Sequence, residues 1–263
     1  MDFISLQKII LKLLNYFLVF FILFVVYRKN ILNVIFSSRF IAYSSLEVFK
    51  KIFMLFFVGY VFTPYFNDLL NFSILENFYA NSHYVFVVLI SLLLIDFFQY
   101  VLHFIQHNVP VLWRLHRLHH FDKTVDGLTN FLSHPIEGVI GFILLSFFIA
   151  IIGIPIEGLF VYTILTAIHE PYGHSDIRFT EKFEKVFNKI FITPQFHRVH
   201  HHLDMKRGNS NFGGLFPFWD MLFGTAVFPN KNKIFTNPTL GISVDQKPDY
   251  SILSFLINPF KKS

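Results

Sequence analysis

The sequence predicts an all-α integral membrane protein with about four spanning or re-entrant helices and a histidine-rich helical cap. Hydrophobic residues make up 54% of the 263 residues and charged residues only 15%, whereas soluble domains carry about a quarter charged residues. Several apolar runs have the length of a transmembrane helix. Twelve of the thirteen histidines lie between His103 and His202, at the ends of these runs or in the stretches that follow them.

The apolar runs predict the individual helices. They cover residues 9–27, 52–66, 84–104 and 136–168. The first and third are long enough to span a bilayer, and the second is short enough to be a tilted or incomplete span. The fourth is too long for one helix and is interrupted by Gly153-Ile154-Pro155. It therefore predicts a helical hairpin that enters the membrane and returns.

Lysine and arginine in the connecting segments predict the orientation. The segment 28–51 carries five of them, 67–83 carries none, and 105–135 carries three. The positive-inside rule then places 28–51, 105–135 and 169–263 together on the cytoplasmic side, with all the clustered histidines. We find no nucleic-acid motif, so the basic charge is expected to face lipid. The sequence Lys261-Lys262-Ser263 is off register for a dilysine retrieval signal, which favours a bacterial inner membrane over the endoplasmic reticulum.

The organisation predicted is a membrane anchor at 1–83, a histidine-bearing unit at 84–226 and a polar tail at 227–263. The chain contains no cysteine. This excludes disulfides, iron–sulfur clusters and cysteine-bound zinc. Any metal must therefore be held by histidine, aspartate or glutamate.

Three groups of histidines have spacings that suit metal binding on a helix. Residues three and four apart lie on one helical face, so the imidazoles of each group project together. Zinc takes four ligands and iron up to six, so eight imidazoles imply two metals. No glutamate lies within H-x-x-x-H, which argues against a zinc peptidase. The groups are His103 and His107 (H-x-x-x-H), then His116, His119 and His120 (H-x-x-H-H), then His197, His200 and His201 (H-x-x-H-H).

Affinity alone favours copper or zinc over iron. A di-metal site at the mouth of a lipid-facing cavity, however, is useful mainly for O₂-dependent attack on a C–H bond, which favours iron. His134, His169 and His174 are weaker candidates because each stands alone. His83 is expected on the opposite side of the membrane and outside the site.

Four segments resemble the fatty acid hydroxylase/sterol desaturase superfamily of membrane di-iron enzymes. The resemblance extends over about 84–226, and Thr193-Pro194 before the third group is most similar to the branch that holds bacterial sterol-desaturase-like proteins and alkylglycerol monooxygenases. The segments are Asp96 to His107, Leu112 to His120, Thr193 to His201, and Asn211 to Thr225 with its N-F-G-G and W-D-M-L-F-G-T motifs.

The resemblance implies that 84–226 is the catalytic domain and that His134 and His174 join the three groups as the ninth and tenth ligands. His169 would then support the site or the fold. The segment His134-Pro135-Ile136-Glu137 resembles the family's H-P-x-E, although Leu132 stands where arginine is common. Asp176 stands two residues after His174, where the family often has asparagine.

Asp96 is a further candidate because an acid inside a span is functional by default. Our hypothesis is that Asp96 hydrogen-bonds a ligand imidazole and sets its tautomer. The alternative is an acid that reaches interfacial water. Trp219 and Asp220 are expected to close the fold as an interfacial aromatic and a buried acid.

The resemblance implies hydroxylation or desaturation of an unactivated carbon in a lipid or sterol, with O₂ and two iron ions, for which zinc can substitute in purified protein. We find no dinucleotide fingerprint, ferredoxin cysteine or haem domain, so the electron donor is expected to be a separate reductase, ferredoxin or cytochrome b5-like protein. Two alternatives stay open. One is a metal-handling membrane protein, although transporters place ligands near the bilayer midplane. The other is an inactive family member with a structural metal pair.

Overall fold

The computed structural model describes residues 37–56, 74–204, 208–229, 240–242 and 251–260. No strand occurs among these residues, as the all-α prediction requires. The predicted span 9–27 and residues 57–66 of the second apolar run lie outside the described residues. The helices are α1 (Ser38–Phe56), α2 (Glu76–Asn81), α3 (Tyr84–Asn108), α4 (Pro110–His116), α5 (Pro135–Ile152), α6 (Ile156–Gly173), α7 (Glu181–Phe187), α8 (Pro194–His200), α9 (Phe218–Phe223) and α10 (Ile252–Ile257).

Two described helices, α3 and α5, are long and apolar enough to cross a membrane. Helix α3 has 25 residues, which corresponds to about 37 Å at the α-helical rise. This length exceeds the roughly 30 Å hydrocarbon core of a bilayer. The last two turns of α3, which carry His103 and His107, therefore reach the level where polar groups become tolerable.

The fourth apolar run forms two helices, α5 and α6, with the predicted interruption at 153–155. Helix α5 ends at Gly153, whose φ of 82° lies in the left-handed region that favours glycine. The Gly153 N–H donates to the Ile149 carbonyl at 2.8 Å. Pro155 then occupies the N-cap of α6, where its missing N–H removes no helical bond. Three residues thus separate the two helices, and α6 packs along α3.

Helices α3 and α6 approach closely where Gly158 faces Ser91. A Cβ on Gly158 would lie 2.2 Å from the Ser91 Cβ. Ser91 is completely buried, and its hydroxyl donates to the Val87 carbonyl at 2.7 Å within its own helix. This contact holds α6, which leads to His174, against α3.

Substituting alanine at Gly158 is expected to destabilise the protein by about 1–3 kcal/mol, because the added methyl group forces two packed helices apart. The double variant Gly158→Ala with Ser91→Gly should recover most of that loss. Gly138→Ala on α5 is the control, because its Cβ meets nothing within 4 Å. Thermal unfolding in detergent measures all three, and a single Gly158 variant as stable as wild type would contradict the packing argument.

Residues 38–51, treated as part of a connecting segment in the sequence analysis, form most of α1. They are helical because one face is apolar and buried, through Ala42, Tyr43 and Leu46. Arg39, one of the basic residues of this segment, has carboxylate partners: it lies 2.5 Å from Asp122 and 2.7 Å from Asp126. Helix α1 thus packs against the segment that follows the second histidine group.

Candidate metal centre

Nine of the ten predicted ligands converge in two clusters, the first of which includes His103 and His107 from the C-terminal end of α3. Within each cluster, one side-chain nitrogen from every member lies within 4.8 Å of the others. Each cluster therefore has the size of a single metal site. The first cluster contains His103, His107, His116, His120 and His200, and the second cluster contains His119, His174, His197 and His201.

Each H-x-x-H-H group contributes to both clusters. In the second group the outer two histidines enter the first cluster and the middle one enters the second; in the third group the assignment is reversed. Adjacent residues on a helix point about 100° apart, which lets neighbouring imidazoles serve different metals. The two groups therefore link the clusters, while α3 completes the first and His174 completes the second.

Two short helices hold these groups. Helices α4 and α8 have seven residues each, and each begins with proline at its first turn. The Thr193 hydroxyl caps α8 by accepting the Phe196 N–H at 3.2 Å. The α-helix of the second group ends at His116, earlier than a fully helical H-x-x-H-H predicts. Instead, the backbone N–H of His119 donates to the His116 carbonyl, three residues earlier in the chain, at 2.8 Å. A tight turn therefore carries the last two imidazoles of the group.

In the first cluster, hydrogen bonds set the tautomers of two facing imidazoles. His103 Nδ1 lies 2.8 Å from the Phe212 carbonyl and His116 Nδ1 lies 2.7 Å from a Glu137 carboxylate oxygen. Both acceptors require Nδ1 to carry the hydrogen, so each neutral ring has a bare lone pair on Nε2. These two Nε2 atoms lie 3.1 Å apart. Two lone pairs at that distance repel each other unless a cation binds both.

The second cluster has the same arrangement. His174 Nδ1 donates to the Glu170 carbonyl at 2.8 Å and His119 Nδ1 donates to the Leu132 carbonyl at 3.3 Å. Their Nε2 atoms lie 3.0 Å apart, and His197 Nε2 lies 3.0 Å from that of His174. In the first cluster, His200 Nε2 is buried without a hydrogen-bond partner in the described part of the chain. The donor set therefore fits two metal ions.

At six of the cluster imidazoles, burial lowers the pKa and so favours the neutral form, which binds metal. It lowers the pKa of His174 to about 4 and that of His200 to about 3. Burial, and then the charge of neighbouring imidazoles, also holds the pKa well below the usual value for His119, His120, His197 and His201.

The structure does not bring His134 into either cluster. Its Nδ1 accepts the Ile136 N–H at 3.2 Å, which makes His134 the N-cap of α5, and its Nε2 donates to the Leu256 carbonyl at 3.2 Å. Both ring nitrogens are thus used, and no lone pair is left for a metal. Of the ten histidines predicted to bind metal, nine therefore remain as candidate ligands.

The hypothesis that Asp96 hydrogen-bonds a ligand imidazole is wrong. Asp96 is completely buried and accepts the Leu215 N–H at 2.9 Å, the Trp219 indole N–H at 3.0 Å and the Tyr162 hydroxyl at 3.3 Å. It lies about two turns below His103 on α3, too deep to reach the cluster, and instead fastens the loop between α8 and α9.

The N-F-G-G and W-D motifs close this loop, as expected for Asp220 and Trp219. The Asp220 carboxylate accepts the N–H groups of Phe212 and Gly213, both at 2.8 Å. A Cβ on Gly213 would lie 2.6 Å from the Phe216 carbonyl, so only glycine fits. Two carbonyls of this loop accept hydrogen bonds from the site: the Phe212 carbonyl accepts from His103, and the Ser210 carbonyl accepts from His200.

Two supporting residues, Glu137 and Arg198, fall outside the sequence-based site prediction, and a third, His169, was expected to support the site or the fold. The Glu137 carboxylate accepts a hydrogen bond from His116, and the H-P-x-E motif is the sequence feature that could have identified this residue. Arg198, inside the third group, donates to the Ser175 carbonyl at 2.7 Å and to Asp176 at 3.0 Å, so the aspartate that departs from the family pattern has a partner. His169 donates to the Ile192 carbonyl at 2.9 Å, which agrees with its expected supporting role.

Several known proteins are similar in sequence to this chain. The ornithine lipid hydroxylase OlsE of Rhizobium tropici is 26% identical over 177 residues, covering 67% of this chain and 51% of that protein. The fatty acid hydroxylase vlmA of a Lecanicillium species is 29% identical over 172 residues, covering 56% and 42%. An alkylglycerol monooxygenase of Xenopus tropicalis is 27% identical over 141 residues, covering 53% and 30%.

The chain thus spans about half or less of the length of these relatives. No solved structure matches the chain. The family model for fatty acid hydroxylase matches residues 88–225, more than half of the chain, and includes every member of both clusters. The chain belongs to the fatty acid hydroxylase family.

Proposed function

We propose that the chain is a membrane-bound oxygenase that holds one iron ion in each cluster and uses O₂ to hydroxylate a lipid. One observation carries the proposal: nine imidazoles form two clusters in which Nε2 lone pairs face each other at 3.0–3.1 Å. Bound iron would supply the activation of O₂ needed to break an unactivated C–H bond. The relatives named as hydroxylases and monooxygenases support hydroxylation over desaturation.

The protein's own groups would orient the imidazoles and exclude water. Backbone carbonyls and Glu137 hold the Nδ1 hydrogens of five of the nine imidazoles, which aims the Nε2 atoms of these five into their clusters. The proposal includes two iron ions in a site that faces the cytoplasm. It also includes a separate protein as electron donor, and a catalytic domain that begins after residue 83 and ends at residue 226. A transporter is less well supported, because the residues that α3 contributes, His103 and His107, lie in its last two turns and not at mid-span.

Elemental analysis of detergent-purified protein from iron-supplemented cells tests the proposal. We expect about two metals per chain, and reductant-dependent O₂ consumption after loading with Fe(II). One metal or none in well-folded protein would overturn the two-metal proposal. If zinc is bound, reconstitution with Fe(II) must restore O₂ consumption. Two bound metals without O₂ consumption would favour a structural metal pair.

Glu137→Ala is expected to weaken metal binding in the first cluster by about 10- to 100-fold, because His116 loses the acceptor that orients it. Glu137→Gln keeps an acceptor oxygen and should recover much of that affinity. Glu157→Gln, an exposed position on α6, is the control. Metal titration monitored by elemental analysis after dialysis measures each variant. Equal affinity for the alanine variant and wild type would remove this role for Glu137.

A further inference from the structure

Residues 177–191, which include α7, expose apolar side chains in a part of the chain where the sequence predicts no membrane helix. Exposed apolar residues that are scattered singly are normal on a protein surface, whereas a concentration of them marks a contact with a partner or a membrane. Five such residues within one short segment therefore indicate a surface that meets something other than water. They are Ile177, Phe183, Val186, Ile190 and Phe191.

Four phenylalanines at intervals of four residues organise this segment. They are Phe179, Phe183, Phe187 and Phe191. The centroids of successive rings lie 4.3, 4.8 and 5.6 Å apart, distances at which aromatic rings attract each other. The row continues to Phe216, whose ring centroid lies 5.6 Å from that of Phe191. Because each ring contacts the next, the segment presents one preformed apolar row.

This row adjoins the helices that face lipid. Phe216 packs against a core cluster that includes Leu92 and Ile95 of α3, and α3 is apolar and long enough to cross a membrane. The Ile192 carbonyl, next to the last phenylalanine of the row, accepts a hydrogen bond from His169 of α6 at 2.9 Å. The apolar surface of the segment is therefore attached directly to the membrane-embedded part of the molecule.

Basic side chains accompany the apolar ones. The segment carries four basic residues, all exposed: Arg178, Lys182, Lys185 and Lys189. Its two acids leave an excess of two positive charges. Glu181 lies 3.2 Å from Lys185, and Glu184 is buried. On α7 the directions of Lys182 and Val186 differ by only about 40°. A lysine beside an exposed apolar residue is typical of a helix that lies in the membrane interface, because its long stem lets the ammonium reach the head groups.

Helix α7 is also fixed to the helix that carries the third histidine group. On its buried side, the Glu184 carboxylate accepts the Thr193 hydroxyl at 2.6 Å, and Asn188 Oδ1 accepts the Thr193 N–H at 3.1 Å. Thr193 in turn caps α8. The exposed row and the metal-bearing helix thus form one connected unit.

We propose that residues 177–191 lie in the interface of an anionic lipid bilayer, with Phe183 and Val186 among the acyl chains and the basic residues at the lipid phosphates. The positive charge fits anionic head groups, and attachment to α3 and α6 places the row at the membrane. This contact holds α8, and with it the third histidine group, at the bilayer surface. The inference goes beyond the proposed oxygenase and does not depend on it.

Spin labels on single cysteines in lipid nanodiscs test the proposal. The chain contains no cysteine, so Val186→Cys and Lys185→Cys each carry one label. These neighbours are similarly exposed, at 67% for Val186 and 74% for the Lys185 side chain, but they point about 100° apart. In discs that contain phosphatidylglycerol, we expect the label at 186 to collide severalfold more often with O₂, which concentrates in lipid, than the label at 185. The label at 185 should instead collide with a water-soluble nickel chelate.

Two outcomes would overturn the lipid contact. Equal access of the nickel chelate to both labels would show that the row faces water. Exclusion of both reagents from the label at 186 would show that protein, such as a second copy of the chain, covers the row. These measurements require no bound metal, so their failure is distinguishable from failure of the proposed oxygenase.

The double variant Lys182→Gln with Lys189→Gln tests the anionic part of the proposal. Each lysine near an anionic surface strengthens binding by about fivefold. We therefore expect the double variant to shift the label at 186 toward water in discs with phosphatidylglycerol. Lys51→Gln with Lys123→Gln removes the same charge from exposed positions elsewhere and is the matched control. A label at 186 that is equally immersed with and without phosphatidylglycerol would overturn the role of the lysines.

Discussion

His174→Ala is expected to remove the metal from the second cluster and leave the first cluster occupied, so that about one metal per chain remains. The second cluster has four imidazoles, and His174 Nε2 lies 3.0 Å from two of the others. Without His174, the second cluster keeps three imidazoles, all of which belong to the two H-x-x-H-H groups. Changes to residues that merely support ligands already cost about 10- to 100-fold, so lipid hydroxylation should fall by more than about 100-fold.

Two further variants make this result specific. His107→Ala leaves four imidazoles in the first cluster, so we expect weaker metal binding there and not complete loss. His202→Ala, adjacent to the third group but outside both clusters, should keep two metals and full activity. Elemental analysis and product formation are measured on the same preparations. Two metals and normal turnover in His174→Ala would show that the second cluster is not a catalytic metal site.

The histidine spacings were sufficient to predict eight of the nine imidazoles that the structure brings together, because helical periodicity alone aligns residues three and four apart. Their division between two metals was not predictable, since it depends on how α4, α8 and α3 meet. His134 shows a second limit. The motif H-P-x-E locates a histidine beside a helix start, but only the structure shows that its two nitrogens bond the Ile136 N–H and the Leu256 carbonyl.

Residues that act on the backbone at their own position predicted the fold better than residues whose partners lie far away in the sequence. Glycine and proline at 153–155 marked the interruption between α5 and α6 because each acts on the backbone where it stands. Helix α1 was missed in part because the carboxylates that neutralise Arg39 lie more than eighty residues away, at Asp122 and Asp126. Asp96 was rightly singled out as an unusual acid, but its partner Leu215 is 119 residues distant. The position of Asp96 inside an apolar run thus indicated that this acid is important, but it did not identify the groups that hydrogen-bond to it.

The Asp96 carboxylate connects the membrane helix α3 to the loop that supports the first cluster. It receives a backbone N–H, an indole N–H and a hydroxyl, all in the protein interior. The same loop places the Phe212 carbonyl against His103 Nδ1 at 2.8 Å. Loss of the carboxylate therefore has two consequences: donors are left unsatisfied, and the acceptor that orients a ligand becomes free to move.

Asp96→Ala is accordingly expected to destabilise the protein by about 3 kcal/mol or more, because each buried donor left unpaired costs about 1–3 kcal/mol. Trp219→Phe removes one donor and keeps the carboxylate bonded to Leu215, so its loss should be smaller. Thermal unfolding in detergent compares the two, and metal titration separates stability from site geometry. We expect weaker metal binding in the first cluster of Asp96→Ala, while the second cluster, whose Nδ1 acceptors are the Leu132 and Glu170 carbonyls, keeps its affinity. An Asp96→Ala protein with wild-type melting temperature and metal content would show that the loop is held by its Asp220 contacts alone.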